Sequence, residues 1–472
     1  MTPTARVPGP VFEPITGRPL AQIAWTPTHE VDDLVERARV AQTDWARMPG
    51  PERAARLHRV ADLLEVEAED LAKLETRNTG KPPVDTVREA HRAAGSFRYY
   101  AGWVDRAVGE TIDPGAGVLS LVDRRPRGTV LGIVPWNVPL FFAAKKFAPA
   151  LAFGNACIVK PAPETPLTAL RLLELMQQAG LPDGVAQVAV GDGELGAALV
   201  EHPGMDLIVF TGSDVTGRRV AAAAGRRGAP TVMELGGKSA QLIFPDADLD
   251  AAIEGVLLGA YGATGQMCIA GSRVYVHREV AGAFGQALAA RIDSMVVGDP
   301  RVDGVHVGPQ ITRDQQRKSF EMIGRAKAAG ARTVAQASLP RDPALAEGFF
   351  VPPTLLEAVA PDAEVAQREI FGPVAILDVF DDEPDAVRRA NGTPFGLAAG
   401  IWTADIGRAH RVARRVRAGT VWINTYRVMS DLVPFGGVGW SGYGRENGEA
   451  ACATYTKAIT TWVASSDVIP AR

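Results

Sequence analysis

The stretch Asn155-Ala-Cys-Ile-Val-Lys160, followed by a helical pattern over Leu167–Ala179, decides the fold class of this 472-residue chain. The first piece is a short apolar run, as in a strand buried inside a sheet, and the second repeats apolar residues at helical spacing. The alternation continues through Val185–Val190, Leu207–Phe210 and Thr216–Ala224, and a second alternating run covers Ala240–Phe435. Because strands that alternate with helices form parallel, doubly wound sheets, the sequence predicts an α/β protein.

Outside the alternating regions, the N-terminal part of the chain is mainly helical and the C-terminal tail is extended. Helices are predicted over Thr28–Ala46, Pro51–Glu75 and Pro82–Val108, and strands over Val118–Asp123 and Gly128–Val134. The tail Tyr455–Val463 alternates and is rich in threonine, which is typical of an edge strand. Since an apolar edge strand needs a partner, the tail is expected to pair with another strand.

Composition places the chain among ordinary globular proteins of two or three domains, with 46% hydrophobic and 22% charged residues. A net charge of −4 argues against nucleic-acid binding. Three widely spaced cysteines favour a reducing cytoplasm, and no metal-binding pattern is present. We see no signal peptide at the N-terminus and no apolar run of the length that crosses a bilayer, so no membrane contact is expected.

Two glycine-flanked segments carry the candidate chemistry. Glu234 lies in Val232-Met-Glu-Leu-Gly-Gly-Lys-Ser239, and Cys268 lies in Gly265-Gln-Met-Cys-Ile-Ala-Gly271. A thiol attacks carbonyl carbon, and a carboxylate activates the water that releases the resulting thioester. The alternative for any lone cysteine is a small buried core residue. We accept that alternative for Cys157, within an apolar strand, and for Cys452.

These segments resemble the active-site signatures of the NAD(P)-dependent aldehyde dehydrogenase superfamily, and further matches run along nearly the whole chain. The matching segments are Pro135–Pro139, Lys160–Pro161 with Thr165–Pro166, Phe210–Ser213 with Gly217, Glu369–Pro373, Asn391–Gly392, Pro394–Leu397, Trp422–Asn424 and Pro434–Gly437. The resemblance implies a Rossmann-type cofactor domain (residues 1–110 and 128–236) and an α/β catalytic domain (237–438). It also implies a small β segment for bridging and oligomerisation (111–127 and 453–472), and hence a homodimer or homotetramer.

By the same resemblance, Cys268 is the nucleophile that forms a thiohemiacetal and then a thioester. Asn137 Nδ2 and the backbone N–H of Cys268 form the oxyanion hole, Glu234 is the base, and Lys146 and Glu446 pass protons behind it. Since no His or Lys adjoins Cys268 in sequence, helix N-terminal amides and the cationic nicotinamide are the expected sources of thiolate stabilisation. Relatives that release product to coenzyme A lack the base, so Glu234 favours hydrolysis to the free acid.

The cofactor is expected to be NAD, although no GxGxxG fingerprint is present. The residues expected to bind it are Trp136, Lys160, Gly212, Ser213, Glu369 and Phe371. Taken alone, Ser213 is equally well explained as an ordinary helix N-cap. NAD-preferring relatives commonly carry a Glu three positions after the lysine, where this chain has Pro163 and then Glu164, which leaves NADP open.

The substrate is the least determined part. The residues expected to face it are Val138, Phe142, Met267, Ile269, Tyr426, Met429 and Phe435. Most are apolar, which favours an aromatic or medium-chain aliphatic aldehyde; the alternative is a semialdehyde or an amino-aldehyde, with Arg427 and Asp431 selecting a charged tail. The Trp-rich cage expected for a quaternary ammonium aldehyde is absent.

Two other classes of function are weighed. A cysteine hydrolase lacks support because no His or Asn has a recognisable papain-like context. A non-catalytic binding protein has no chemical reason to carry Cys268, Glu234 and Asn137 together.

Overall fold

A computed structural model describes residues 8–115 and 117–464, and within them the predicted α/β class is confirmed. The strands are β1 (Pro8–Glu13), β2 (Arg18–Ala24), β3 (Glu110–Gly115), β4 (Val118–Pro126), β5 (Thr129–Ile133), β6 (Ala156–Lys160), β7 (Ala186–Val188), β8 (Leu207–Thr211), β9 (Thr231–Glu234), β10 (Ala240–Ile243), β11 (Arg273–His277), β12 (Arg332–Gln336), β13 (Thr354–Glu357), β14 (Val374–Phe380), β15 (Ala398–Trp402), β16 (Thr420–Ile423), β17 (Gly442–Tyr443) and β18 (Thr456–Ala464).

Helices separate most of these strands. They are α1 (Val31–Arg47), α2 (Gly50–Val66), α3 (Ala68–Thr79), α4 (Pro83–Ala101), α5 (Pro139–Ala152), α6 (Leu167–Gln178), α7 (Gly193–Glu201), α8 (Asp214–Arg226), α9 (Leu249–Tyr261), α10 (Arg278–Asp293), α11 (Arg313–Ala328), α12 (Glu364–Gln367), α13 (Glu383–Ala390), α14 (Ile406–Arg415) and α15 (Ala450–Tyr455). None of the described helices is both long and apolar enough to cross a membrane.

The first large sheet has the strand order β17-β9-β8-β5-β6-β7, and its five longer members run parallel. Three polar residues end parallel strands of this sheet: Lys160 on β6, Thr211 on β8 and Glu234 on β9. Because ligands bind beyond the carboxyl ends of parallel strands, this edge is where a site is expected. The helix α5 packs nearby and is buried along its whole length, including Lys145 and Lys146.

The second large sheet has the order β12-β13-β14-β11-β10-β15-β16, parallel except for β12. The chain passes from the first sheet to the second between Glu234 and Ala240, then returns through β17, whose Gly442 pairs with Glu234. The first sheet is thus completed by a strand from near the C-terminus, a pairing that local sequence patterns do not indicate.

The C-terminal strand β18 pairs antiparallel with β4, and β4 pairs with β3, in a separate three-stranded sheet. The predicted strand in the tail therefore forms, at the edge of this sheet. The predicted domain boundaries stay a prediction. Their outermost parts, residues 1–7 and 465–472, lie outside the described residues, as does residue 116.

Two predicted helices differ in extent from those observed. The predicted helix over Pro51–Glu75 is divided at Glu67, whose φ of −96° and ψ of 7° interrupt the helical geometry, and the two halves both pack on α4. The predicted helix over Pro82–Val108 ends at Ala101, where Gly102 follows. Glycine is a poor helix former, so this is a natural end. The predicted strand Val185–Val190 is reduced to β7.

Candidate active site

Cys268 is presented by a left-handed turn that directly precedes it. Ala263, Thr264 and Gly265 have φ of 51°, 58° and 69°. This conformation costs an L-residue about 1–2 kcal/mol, and such strain is concentrated at functional sites. At Gly265 a Cβ atom would overlap the carbonyl oxygen of Gly372, so only glycine fits there without rearrangement. The turn brings the chain out of α9 and leaves Cys268 half-buried in a loop before β11.

The surroundings of the Cys268 thiol disfavour its charged form. Burial, together with the charges of Glu369 and Glu234, raises the pKa of Cys268 to about 12, while Lys145 and the N–H of Ile269 act in the opposite direction. The N-terminal end of α5 lies at the same cavity as the thiol, since Val138, the residue before that helix, lines the cavity together with Cys268. The expected stabilisation of the thiolate by helix N-terminal amides and by the cationic nicotinamide stays a prediction. In these surroundings the thiol proton must be removed during the reaction.

Glu234 is a buried carboxylate at the carboxyl end of β9, and it is only 3% exposed. Both of its carboxylate oxygens lack a hydrogen-bond partner among the described residues. Burial, together with the charge of Glu446, raises the pKa of Glu234 to about 8. A general base works best when its pKa lies near the working pH, so this environment suits proton abstraction. Gly436 borders the carboxylate, since a Cβ there would lie 2.7 Å from Glu234 Oε1.

Glu446 and two lysines of α5 form a buried charged cluster behind Glu234. Lys146 Nζ lies 2.5 Å from Glu446 Oε1, and Lys145 Nζ lies 3.0 Å from Glu446 Oε2. Lys146 Nζ also donates to Thr211 Oγ1 at 2.8 Å. Burial lowers the pKa of Lys146, partly offset by Glu446, while the two lysines hold the pKa of Glu446 below its ordinary value despite its burial. The sequence places Lys146 and Glu446 300 positions apart, and the structure joins them.

Asn137 lies just before α5, 4% exposed, with its side chain against the Cys268 loop. Its Nδ2 donates to the backbone oxygen of Gln266 at 2.9 Å and lies 3.8 Å from Met267 Sδ. A side-chain amide has two N–H donors, and a thioether is only a weak acceptor, so one donor is held by Gln266 and the other is nearly free. An oxyanion donor requires this arrangement, in which the side chain is fixed in place and one N–H remains free to donate.

Two cavities meet at Cys268. The larger has a volume of about 590 Å³ and extends along the ends of the first sheet; the smaller, of about 180 Å³, extends toward α4. Cys268 lines both, together with Phe142, Lys145 and Phe435. Glu234 and Asn137 line the larger cavity at the same end. The Cys268 thiol therefore has one cavity on each side.

The larger cavity contains five of the six residues expected to bind the cofactor. The rings of Trp136 and Phe371 meet edge to face with centroids 5.1 Å apart, and Gln315 Nε2 holds the backbone oxygens of Ile370 and Phe371 at 2.8 Å and 3.1 Å. Glu369 accepts from the N–H of Gly237 at 3.3 Å, and burial raises the pKa of Glu369 to about 8. The apolar rings and a carboxyl group thus lie beside the thiol.

The turn Gly212-Ser213 lines the same cavity at the start of α8. Ser213 also caps that helix, because its side chain accepts from Thr216 N at 3.3 Å. The two interpretations of Ser213 left open by the sequence are therefore compatible: the cap orders a helix whose free N–H groups and dipole favour a phosphate in the cavity.

Lys160 lies apart from both cavities. It is buried at the end of β6, where its Nζ donates to Pro161 O at 3.2 Å, and burial lowers the pKa of Lys160 to about 8. The charge of Glu164 acts on it in the opposite direction. Glu164, which lies one position after the place where NAD-preferring relatives carry a glutamate, is thus near Lys160 in space.

The smaller cavity contains all seven residues expected to face the substrate: Val138, Phe142, Met267, Ile269, Tyr426, Met429 and Phe435. Tyr426 fixes the loop beside the thiol, since its hydroxyl donates to Ile269 O at 2.9 Å. The cavity is also lined by residues that sequence reasoning left out of the site: Arg88 and Arg92 on α4, and Leu258 on α9. Charged residues along a helix normally form a solvated face, so nothing in the pattern marked them. Among the described residues, no group of three or more His, Cys, Asp or Glu could hold a metal ion.

Comparison with known proteins agrees with this geometry. The model of the aldehyde dehydrogenase family matches residues 3–461. The betaine aldehyde dehydrogenase of Brucella anthropi is 42% identical over 457 residues, which covers 97% of this chain and 94% of that protein. The crystal structure of PnpE from Pseudomonas sp. WBC-3 has a TM-score of 0.95 at 40% identity, covering 98% of this chain and 96% of that one. Betaine aldehyde dehydrogenase from Staphylococcus aureus, solved in complex with NAD+, has a TM-score of 0.96 at 32% identity, covering 98% and 93%.

Proposed function

Because the chain belongs to the aldehyde dehydrogenase family, whose members oxidise aldehydes with NAD, we propose that it converts an aldehyde with a charged far end to the free carboxylic acid. One observation carries the proposal: Cys268 lies where a cofactor-sized cavity and a separate, smaller cavity meet, with Glu234 and Asn137 beside it. A thiol that attacks an aldehyde needs a hydride acceptor on one side and the substrate on the other.

The larger cavity fits a nicotinamide dinucleotide. Trp136 and Phe371 would pack against the nicotinamide ring, Glu369 would accept from a ribose hydroxyl, and the Gly212-Ser213 turn at the start of α8 would hold the pyrophosphate. Lys160, outside the cavity wall, is assigned to the adenosine ribose. Bound there, NAD+ supplies the hydride acceptor for aldehyde oxidation.

In the first half of the reaction, Cys268 Sγ forms a bond to the aldehyde carbon and its proton leaves. Glu234 is the buried base near the thiol that is suited to accept this proton. Asn137 Nδ2 and the N–H of Cys268 donate to the oxygen that becomes negative, a contribution on the order of 3 kcal/mol per donor. Loss of hydride from the same carbon leaves a thioester on Cys268.

At the start of the second half, Glu234 gives up the proton that it accepted from the thiol. It then takes a proton from water, which attacks the thioester carbon and frees the acid. The thiol is regenerated when the departing sulfur regains a proton. The buried Lys146–Glu446 pair behind Glu234 is placed to pass the excess proton away. We assign no step to coenzyme A, because a buried carboxylate with two unpaired oxygens is suited to water.

The release of acid is expected to be faster at higher pH. Since burial raises the pKa of Glu234 to about 8, the carboxylate is mostly protonated at pH 6 and mostly charged at pH 9. A base acts only when deprotonated, so the rate constant for acid release rises about tenfold per pH unit below 8 and levels above it. Rapid-quench measurement of acid release from pH 6 to 9.5 checks this. A flat or falling profile would mean that Glu234 is not the base.

The proposed substrate has a charged group at the end away from the aldehyde, and this differs from the uncharged aldehyde that the sequence first favoured. An aromatic or medium-chain aliphatic aldehyde is less well supported than the alternative, a semialdehyde or amino-aldehyde. Relatives are named for betaine aldehyde, which carries a quaternary ammonium group, and this favours an amino-aldehyde. The arginines that line the smaller cavity favour a semialdehyde.

The test is absorbance at 340 nm with purified protein, NAD+ or NADP+, and aldehydes that end in a methyl, amino, trimethylammonium or carboxylate group. NAD+ reduction that depends on aldehyde supports the proposal, with the charged aldehydes oxidised at the highest kcat/KM. Reduction that requires coenzyme A, or ester hydrolysis without any reduction, would overturn it.

We also propose that the enzyme is a homodimer or homotetramer joined through β18. This strand lies at the edge of its sheet and exposes Trp462 (63%) and Val463 (45%). An exposed apolar edge strand is a ready template for pairing. Light scattering on the purified protein is expected to give two or four times the 50.0 kDa chain mass, and replacing Trp462 by lysine is expected to lower it. A monomeric parent protein would contradict the proposal.

A further inference from the structure

We propose that Arg92 and Arg427 form an anion-binding subsite at the far end of the smaller cavity, which selects aldehydes that carry a carboxylate. Both residues line the cavity whose inner end is Cys268. This rests on the proposed function and deepens it, because it names the charge of the substrate's far end.

Arg92 is a cation without a hydrogen-bond partner among the described residues. It lies on α4 with its guanidinium 4.0 Å above the ring of Phe141, and its Nη2 is buried without an acceptor. A guanidinium has five N–H donors, and leaving buried donors unused is costly. A bound carboxylate would use two of these donors at once in the bidentate geometry that arginine favours.

Arg427 lines the same cavity from a different element, the loop after β16. Its backbone has a φ of 63°, the left-handed conformation that side chains other than glycine rarely adopt. Its Nη1 donates to Leu258 O at 3.2 Å, and it occupies the space where a Cβ at residue 262 would otherwise be. Gly262 therefore makes room for the guanidinium. The backbone is held in an uncommon conformation, and the side chain it carries lines the substrate cavity.

The two guanidinium groups are close enough to affect each other. Burial lowers the pKa of Arg92, and the positive charge of Arg427 lowers it further, while Asp431 and Glu89 act in the opposite direction. Two like charges held near one another in a partly buried place repel, and an anion between them relieves that repulsion.

The carboxylates that line the cavity are already paired with cations. Asp85 pairs with Arg88 at 3.2 Å, and Glu89 pairs with the buried Lys81. Asp431 does not line the cavity; one of its oxygens accepts from Ser96, and the other has no hydrogen-bond partner among the described residues. The remaining cation of the cavity, Lys145, pairs with Glu446. Of the charged residues that line the cavity, Arg92 and Arg427 are thus the two without an ion-pair partner among the described residues.

The positive charges of Arg92 and Arg427 disfavour a quaternary ammonium group at the end of the substrate away from the aldehyde. Such a cation is bound by aromatic faces, and the face of Phe141 is covered by Arg92 itself. Between the arginines and Cys268 the wall is apolar, with Val138, Phe142 and Phe435, which suits a hydrocarbon spacer. The substrate class is therefore an aldehyde joined through a short hydrocarbon chain to a carboxylate.

The experiment compares three aldehydes of similar length: 6-oxohexanoate, hexanal and 4-trimethylaminobutanal. We expect kcat/KM to be highest for the carboxylate and lowest for the ammonium compound, with steps of about tenfold or more, as charge-assisted hydrogen bonds give. In Arg92→Gln and in Arg427→Gln, the ratio of kcat/KM for 6-oxohexanoate over hexanal is expected to fall about tenfold or more, mainly through KM.

Arg98→Gln is the matched control. Arg98 lies on the same helix as Arg92, but it faces solvent and pairs with Asp62 at 2.7 Å. The Arg98→Gln change removes the same charge from α4, outside the cavity, so the ratio of kcat/KM for 6-oxohexanoate over hexanal should stay at the parent value. A parent enzyme that prefers the ammonium aldehyde, or an unchanged ratio in both cavity variants, would overturn the subsite.

Calorimetric titration with hexanedioate and hexanoate tests the subsite without turnover. Tighter binding of the dicarboxylate to the parent protein, lost in Arg92→Gln, is the expected result, and equal binding of both acids would contradict it. If no aldehyde is oxidised but hexanedioate still binds through Arg92, the proposed function fails while the subsite stands.

Discussion

Replacing Cys268 by alanine is expected to abolish aldehyde-dependent NADH formation, to below about 10⁻⁴ of the parent rate. The thiol lies at the point where the two cavities meet. Without it, the aldehyde carbon forms no covalent bond to the enzyme beside the cofactor cavity, and no hydride is transferred. The change removes a sulfur atom from a half-buried loop position, so folding should be retained. Absorbance at 340 nm with saturating NAD+ measures the loss, and the thermal midpoint checks the fold.

Cys452→Ala is the control for that experiment. Cys452 is a half-buried thiol on α15, outside both cavities, and its loss should leave the rate of NADH formation near the parent value. Loss of activity in Cys452→Ala with retention in Cys268→Ala would show that the nucleophile is assigned to the wrong thiol.

Replacing Glu234 by glutamine is expected to separate the two halves of the reaction. Glutamine has the same shape but accepts no proton, so the thioester forms and then persists. The expected trace is a burst that approaches one NADH per active site, followed by a steady rate about 10²–10⁴-fold below the parent. Stopped-flow absorbance at 340 nm records both phases.

The burst is informative because Glu234 is also the base assigned to the thiol proton. A slower burst of full amplitude means that Glu234 serves both halves, and a burst at the parent rate means that another group takes the thiol proton. Glu201→Gln, an exposed carboxylate on α7 that pairs with Arg226, should behave as the parent does. Multiple turnovers at the parent rate in Glu234→Gln would exclude it as the base for hydrolysis.

The sequence predicts those parts of the molecule that depend on local pattern. The alternation around Asn155–Lys160 and Leu167–Ala179 predicts the parallel sheet, and β6 and α6 form there. The motif residues Cys268, Glu234 and Asn137 occur in segments that resemble known signatures, and the structure brings them to one place.

What the sequence did not predict depends on contacts between distant segments. The interruption of a helix at Glu67 follows from packing both halves on α4, and the pairing of Gly442 with Glu234 closes the first sheet from near the far end of the chain. The raised pKa of Cys268 follows from burial and from two carboxylates that are distant in sequence. Arg92 is one of several arginines on α4, and only the three-dimensional arrangement separates it from Arg98.

The most direct test of the mechanism is the covalent state of Cys268. Glu234→Gln protein is mixed with NAD+ and propanal, quenched in acid after the burst, digested with trypsin and analysed by mass spectrometry. The mechanism predicts a propanoyl group on the Cys268 side chain, in an amount that matches the burst of NADH, and none when NAD+ is omitted. A burst of NADH with no acyl group on Cys268, or with the acyl group on another residue, would contradict it.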